Sequence, residues 1–191
     1  MTELHYITPM VNVPSILHLG ILSHRRVSTV EHNSVAMQEI QDRRENKRVP
    51  RGKLLHDYAN LYFTARNPML RKLKSKHLGL CVLRVDPEVL DIPGTVITDQ
   101  NAASGYAAFA PAPEGLGIVD ANLTFAQWWT DPDYYAYWRK KRAKCAEVLV
   151  PDRVDPELIL GAYVSCHDAR NSINAIVSGL EVDIDLKLFF F

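Results

Sequence analysis

The sequence predicts an α+β domain, with short strands in a mixed or antiparallel sheet and a few small flanking helices, on three observations. Apolar runs of strand length recur along the chain, the clearest being LGLCVLRV at residues 78–85. The helical patterns between them are short and are cut by Pro or Gly. No GxGxxG or GxxxxGK[ST] loop occurs, so a Rossmann or P-loop nucleotide fold is disfavoured. With 191 residues and 47% apolar content, the chain can bury one good core and is short for two, so one domain over 1–191 is expected.

Residues 5–8 read as a first strand, closed by Pro9. Asn12 or Pro14 opens a helix of about two turns through Leu19, and Gly20 stands where a left-handed residue ends such a helix. Between 34 and 48, Val35, Met37 and Ile40 lie among polar residues, a weakly amphipathic helix with little apolar area to anchor it. Leu61, Tyr62 and Phe63 form a strand, and Asn67-Pro68 starts a helix with Met69, Leu70 and Leu73 on one side. The run at 78–85 has the pattern of a strand covered on both faces, and Val96, Ile97 and Thr98 make another. Ala, Gly and Pro crowd 101–120, which reads as a long loop of the kind that carries function. An aromatic and basic helical stretch follows over 125–144. Strands at 145–150 and 158–164, a helix at 168–180 and a terminal strand at 182–190 complete the chain.

Acidic and basic residues balance at 22 each, so the distribution of charge, not its sum, bears on partners. Residues 43–76 hold Arg43, Arg44, Lys47, Arg48, Arg51, Lys53, Arg66, Arg71, Lys72, Lys74 and Lys76 against only Glu45 and Asp57. A second cluster, Arg139, Lys140, Lys141, Arg142 and Lys144, follows Trp128, Trp129, Tyr134, Tyr135, Tyr137 and Trp138. Cations neutralise phosphates and aromatics stack on unpaired bases, the combination a single-strand binder needs. A solvated helix face with its aromatics packed inward has the same pattern. Cys81, Cys145 and Cys166 are odd in number and widely spaced, with no CxxC pair, and read as reduced thiols rather than as a metal or redox site. There is neither a leader-like N-terminus nor an apolar run long enough to span a bilayer, so the expectation is a cytoplasmic protein without membrane or metal.

Glu147 is the strongest local anomaly. It lies in Cys145-Ala146-Glu147-Val148-Leu149-Val150, where alternation puts Cys145, Glu147 and Leu149 on one face. An unpaired buried carboxylate is costly, so such a glutamate either points to water from an edge strand or is kept for chemistry. The strand by itself favours the edge. His5, Tyr6, Thr8 and Asn12 form a polar group near the N-terminus whose plainest reading is a surface strand and a helix cap.

Taken in order, the segments YITPMVNVPSILHLGILSH, IQDRRENKRVPRGKLLHDYANLYFTARNPML, VITD and AEVLVPDRV resemble the DarT family of DNA ADP-ribosyltransferase toxins over nearly the whole chain. The resemblance implies an ADP-ribosyltransferase fold and NAD+ as co-substrate, bound without a Rossmann loop. The implied product is a modified base in single-stranded DNA, thymidine being favoured. It also implies the role of toxin beside a macrodomain antitoxin, and a monomer is expected. The family glutamate falls on Glu147, the second arginine of its QxRR helix on Arg44 and the tyrosine before NPML on Tyr62. Ile7, Thr8 and Ser15 fall among the NAD+ contacts, and Arg139, Lys140, Lys141, Arg142 and Lys144 are the candidate nucleic-acid contacts. Where the family strand reads Tyr-His-Ile-Thr, this chain reads His5-Tyr6-Ile7-Thr8. Counting back from Asn12 and Leu17 puts Tyr6 at the ribose-holding position. A one-residue slip would restore His5 at the cost of reversing every later side chain. Rival readings keep the fold but move the acceptor to RNA or protein, or reduce the chain to a single-strand-binding module with weak catalysis.

Overall fold

The computed structural model describes residues 2–191. In chain order its elements are β1 (Leu4–Pro9), α1 (Val13–Leu19), β2 (Ile21–Leu22), α2 (His24–Val27), α3 (Gln38–Glu45), β3 (Tyr58–Tyr62), α4 (Pro68–Lys72), β4 (Leu80–Val85), β5 (Val96–Thr98), β6 (Phe109–Pro111), α5 (Ala121–Thr124), α6 (Tyr134–Ala143), β7 (Glu147–Pro151), β8 (Arg153–Val154), β9 (Ile159–Val164), α7 (His167–Asn174) and β10 (Val182–Ile184). Eight strands form one sheet in the order β10-β9-β4-β1-β3-β7-β5-β6, and β2 pairs with β8 in a small second one. All neighbours in the large sheet are antiparallel except β10 and β9. The predicted mixed sheet with small helices is what forms.

One feature of the pairing governs the site. β1 shares six residue pairs with β4, and β3 shares five with β7, but β1 and β3 meet only at His5 opposite Tyr62. The sheet is therefore two four-stranded halves joined at one pair. Side-chain alternation then sorts the interior. Leu4, Leu61, Leu83, Ile97 and Val148 share the face that forms the main core. Ile7, Tyr62 and Val82 point to the other face, where they pack with Leu70, Trp129, Leu188, Phe189 and Phe190. Each fully buried aliphatic side chain of this kind contributes about 1.5–3 kcal/mol.

The boundaries show where local chemistry overrode periodicity. Gly20 does end α1, but with φ 85° and ψ 176° it is extended in ψ, not left-handed helical. A Cβ there would sit 2.2 Å from the Val154 carbonyl oxygen, so the close approach of β8 requires glycine. The helix read over 34–48 is the shorter α3, whose only buried residue is Arg44. The loop at 101–120 contains β6, paired to β5. The stretch 125–144 is not one helix. Pro132 disfavours helix at Asp131, and the Asp133 carboxylate caps the new helix by accepting the Ala136 amide at 2.7 Å. The helix read over 168–180 stops at Asn174.

The terminal strand read over 182–190 is only the three residues of β10. Asp185 then accepts the amides of Lys187 and Leu188, turning the chain. Arg66 draws the tail in, donating to the carbonyls of Lys187 and Phe189, each at 2.7 Å, with its guanidinium 4.6 Å from Trp128 and 4.2 Å from Phe190. Among the described residues no helix is long and apolar enough to cross a membrane.

Candidate active site

A cavity of about 810 Å³ opens where β1 and β3 part beyond the His5–Tyr62 pair. β1 and α1 contribute Tyr6, Ile7, Thr8 and Ser15 to its wall, β3 contributes Tyr58, Asn60 and Tyr62, and α3 contributes Arg44. Trp138 and Lys141 of α6 close another side.

At one end of this cavity the register stacks three strands. Tyr62 lies opposite Glu147, and Glu147 opposite Thr98, so these side chains share one face with His5. β7 is an interior strand and Glu147 is completely buried. The solvent-facing edge that the strand by itself favoured is thus excluded. The carboxylate is paired with Arg44, which is 5% exposed and donates from Nη1 to Oε2 at 3.0 Å. Such a pair is held at the expense of desolvating both ions, and losing either partner would strand the other. The Arg44 Nη2 is buried and has no partner. A buried donor without an acceptor is costly, and here it belongs to a residue on the cavity wall. Arg44 lines the cavity and Glu147 stands behind it.

The Glu147 amide donates to Thr98 Oγ1 at 3.2 Å, and that hydroxyl donates to the Gln100 carbonyl at 2.6 Å, fixing the start of β7 to the end of β5. The Tyr62 hydroxyl donates to Met69 Sδ at 3.3 Å. Burial, and then the charge of Glu147, push its pKa upward, so the phenol stays neutral. Burial, followed by the charge of Glu147, likewise raises Cys145 to about 12. Lys47 hydrogen-bonds the Ser104 carbonyl beside Phe109, and burial, then the nearby Arg44, lower its pKa.

The transposed pair takes opposite faces. Tyr6 is on the cavity wall, and burial pushes its hydroxyl up to about 12. His5 points away. Its Nδ1 accepts the Ala65 amide at 3.0 Å, which leaves the proton on Nε2 for Glu3 at 3.1 Å. That bond to His5 is the main reason the Glu3 carboxyl is held down near 2. No slip restores His5, because Tyr6, Ile7 and Thr8 are locked opposite Leu83, Val82 and Cys81. Thr8 Oγ1 accepts from Asn12 Nδ2 at 3.2 Å, and Asn12 also exchanges two bonds with the Asn33 backbone, holding the segment after α2 over the cavity mouth.

The second basic cluster divides. Arg139 and Arg142 are exposed, Lys141 lies 4.5 Å from the Trp138 ring on the cavity wall, and Lys140 pairs with Asp131 at 2.6 Å. Lys144 is corrected from the expected nucleic-acid contacts: it is 1% exposed and donates to the Ala126 carbonyl at 2.7 Å. Burial, then the charge of Arg66, lower its pKa to about 8. Asn60 on the cavity wall and the buried Gln100, whose carbonyl anchors Thr98, are absent from the residues the sequence singles out. Asn60 had a signal, a polar residue two before Tyr62 on the same strand face. Gln100 had none, since nothing in a loop sequence marks which amide is buried.

The family model described as ssDNA thymidine ADP-ribosyltransferase, DarT, matches residues 5–189. A DNA ADP-ribosyl transferase–DNA ADP-ribosyl glycohydrolase fusion protein of Thermosipho africanus is 32% identical over 98% of this chain, which spans 49% of that relative. Among solved structures, Thermosipho africanus DarTG in complex with ADP-ribose superposes with a TM-score of 0.87 at 30% identity, covering 100% of this chain and 52% of the other. Thermus sp. 2.9 DarT in complex with ADP-ribosylated ssDNA gives 0.86 at 26% identity, covering 99% and 96%. The split sheet, the cavity at its parting and the buried Arg44–Glu147 pair thus occur in a chain that belongs to the DarT family.

Proposed function

We propose that this chain transfers ADP-ribose from NAD+ to a base of single-stranded DNA, thymidine in the first instance, as the toxin of a toxin–antitoxin pair. The observation that carries the reading is the buried Arg44–Glu147 pair, with its unused Arg44 donor, at the end of the cavity between the sheet halves. Family membership and the names of the relatives support the acceptor, and the fused glycohydrolase of the Thermosipho relative supports an antitoxin partner that removes the mark.

NAD+ is a substrate here. Breaking its nicotinamide–ribose bond sends the bonding electrons to neutral nicotinamide and leaves oxocarbenium-like positive charge on the ribose. Glu147, fixed at the start of β7 behind Arg44 in a dry site, stabilises that charge, and it takes a hydrogen bond from the ribose 2′-OH, one that strengthens as charge develops, once the Arg44 side chain that covers it swings aside. A ring nitrogen of the base forms the new bond to the ribose carbon and gives up its proton to solvent water at the cavity mouth. Arg44 is a poor base, its guanidinium staying charged. It stabilises the anionic character of the base as that proton leaves. Tyr62, a neutral phenol, offers the nicotinamide a stacking surface, and Tyr6, with Ile7, Thr8 and Ser15, lines the part of the cavity that takes the adenosine ribose.

The test is incubation of the purified protein with NAD+ and defined oligonucleotides, read by mass spectrometry. An added ADP-ribose on wild-type samples that is lost with Glu147→Gln supports the assignment. Equal modification by Glu147→Gln, or modification only of RNA or protein, overturns it.

A further inference from the structure

One wall of the cavity is the segment 24–37, which runs through α2 toward the start of α3 and contributes His24, Val27, Val30, His32, Asn33 and Met37. None of its residues is buried, so it has little apolar area to hold it in place. Polar contacts hold it instead. Asn12 exchanges two bonds with the Asn33 backbone, at 2.8 and 2.9 Å, and Lys72 Nζ meets Met37 Sδ at 3.3 Å. At the other end α2 docks on a 3-10 turn at Leu55–Asp57. Arg25 Nε pairs there with Asp57 at 2.6 Å, and the rings of His24 and His56 lie against each other, centroids 4.1 Å apart and planes inclined by 36°.

Two protonated imidazoles at this distance repel, so the stack holds best with neither ring charged. The groups that face it do little to offset that repulsion. His32, from the same segment, is a third imidazole near His24, and Arg44 of α3 is a cation near both rings. Glu45, exposed at the end of α3, pulls the other way, while Asp57 is taken by Arg25. The Gln41 backbone favours a proton on His56, yet the His56 Nε2 is buried without a partner. Burial, and after it the neighbouring imidazole, His32 for His24 and His24 for His56, hold both rings below the usual histidine value.

We infer that the His24–His56 stack positions the cavity wall at 24–37 for NAD+, holding it while both rings are neutral and releasing it as they take up protons. The inference rests on NAD+ occupying the cavity. His56 is not on the cavity wall and acts through His24, as a positioning residue. In the released segment the rings regain the ordinary histidine value of 6.5. Proton uptake below about pH 6.5 therefore favours release and weakens NAD+ binding, and above it the wall stays in place. Affinity for the co-substrate then falls in acid through groups separate from Glu147 and Arg44.

The experiment titrates carba-NAD+, in which a CH2 replaces the ribose ring oxygen so that no oxocarbenium can form, into the protein without DNA. Calorimetry reads Kd from about pH 8 down to about pH 5.5. Wild-type Kd rises about tenfold at the acid end, the factor for one histidine that charges only in the released state, one unit below its free value. His56→Phe keeps a ring against His24 but has no proton to gain, and its Kd stays within about twofold across the series. His24→Gln, at an exposed position, flattens the rise as well and tests the pair even where His56→Phe fails to fold. A wild-type Kd that is constant over this range, or that rises equally in both variants, overturns the inference and leaves the proposed activity standing. A wild-type protein that binds neither carba-NAD+ nor NAD+ at about pH 8 overturns both.

Discussion

The two basic clusters look alike in sequence, and each turns cations inward, yet Arg44 of the first and Lys144 of the second do opposite things. Arg44 in the first meets a buried carboxylate and keeps one donor unused at the cavity. Lys144 in the second meets only a backbone carbonyl, with no counter-charge, and its pKa falls to about 8. A buried charge near an opposite charge is kept ionised, and one given only a neutral dipole is pushed toward the neutral form. Position within a basic run therefore says little about role, and the partner decides it.

The largest expected effect comes from breaking the first pair. Glu147→Gln, close in shape, should lower the rate of transfer by at least about 10²–10³-fold, the scale of one preorganised electrostatic contact, measured under NAD+ saturation. A rate within a few-fold of wild type would remove Glu147 from the chemistry. Glu147→Ala should in addition lower stability, because it leaves the Arg44 guanidinium buried and alone, a loss of about 3–5 kcal/mol by chemical denaturation.

Next, Arg44→Lys should not restore function. An ammonium cannot reach the carboxylate and offer a second in-plane donor together, so transfer should stay below about a tenth of wild type while the fold holds. Lysine at wild-type rate would show that charge by itself is what the cavity needs.

The contrast predicts a pH signature for Lys144. Its folded pKa of about 8 lies below the ordinary 10.5 of the unfolded chain. Between those values the unfolded state holds more protons, so stability should rise as pH climbs from about 8 to 10.5, by up to roughly 3 kcal/mol. Below pH 8 the penalty is present in full. Lys144→Met should flatten that rise in a thermal melt series, and an unchanged slope would assign it to other groups.

The smallest effect belongs to the exposed part of the second cluster. Arg139→Ala should leave stability within about 0.5 kcal/mol. It should also reduce the slope of log affinity for single-stranded DNA against log salt by about 0.7, one phosphate contact. An unchanged slope would make this a solvated helix face.

How far the sequence could be read follows the range of the forces involved. Strand runs such as residues 80–85 and helix signals such as Asn67-Pro68, where Asn67 Oδ1 does accept the Met69 and Leu70 amides, depend on neighbours a few residues away. These were legible. The break in the stretch 125–144 and the inward turn after Asp185 depend on single caps competing with an otherwise continuous pattern, and there periodicity failed.

Glu147 and Arg44 were picked out by an ordered set of segments rather than by their surroundings, for local alternation preferred a solvent-facing glutamate. The sequence by itself determined the element types, the family and the residue transposition at His5-Tyr6. Only the tertiary structure decided that Tyr6 lines the cavity while His5 binds Glu3, that Lys144 is interior, and that Gln100 is buried. Each of those depends on which strand or helix a side chain meets across the fold. Arg44 and Glu147 are 103 residues apart and become a pair only when the sheet brings β7 under α3.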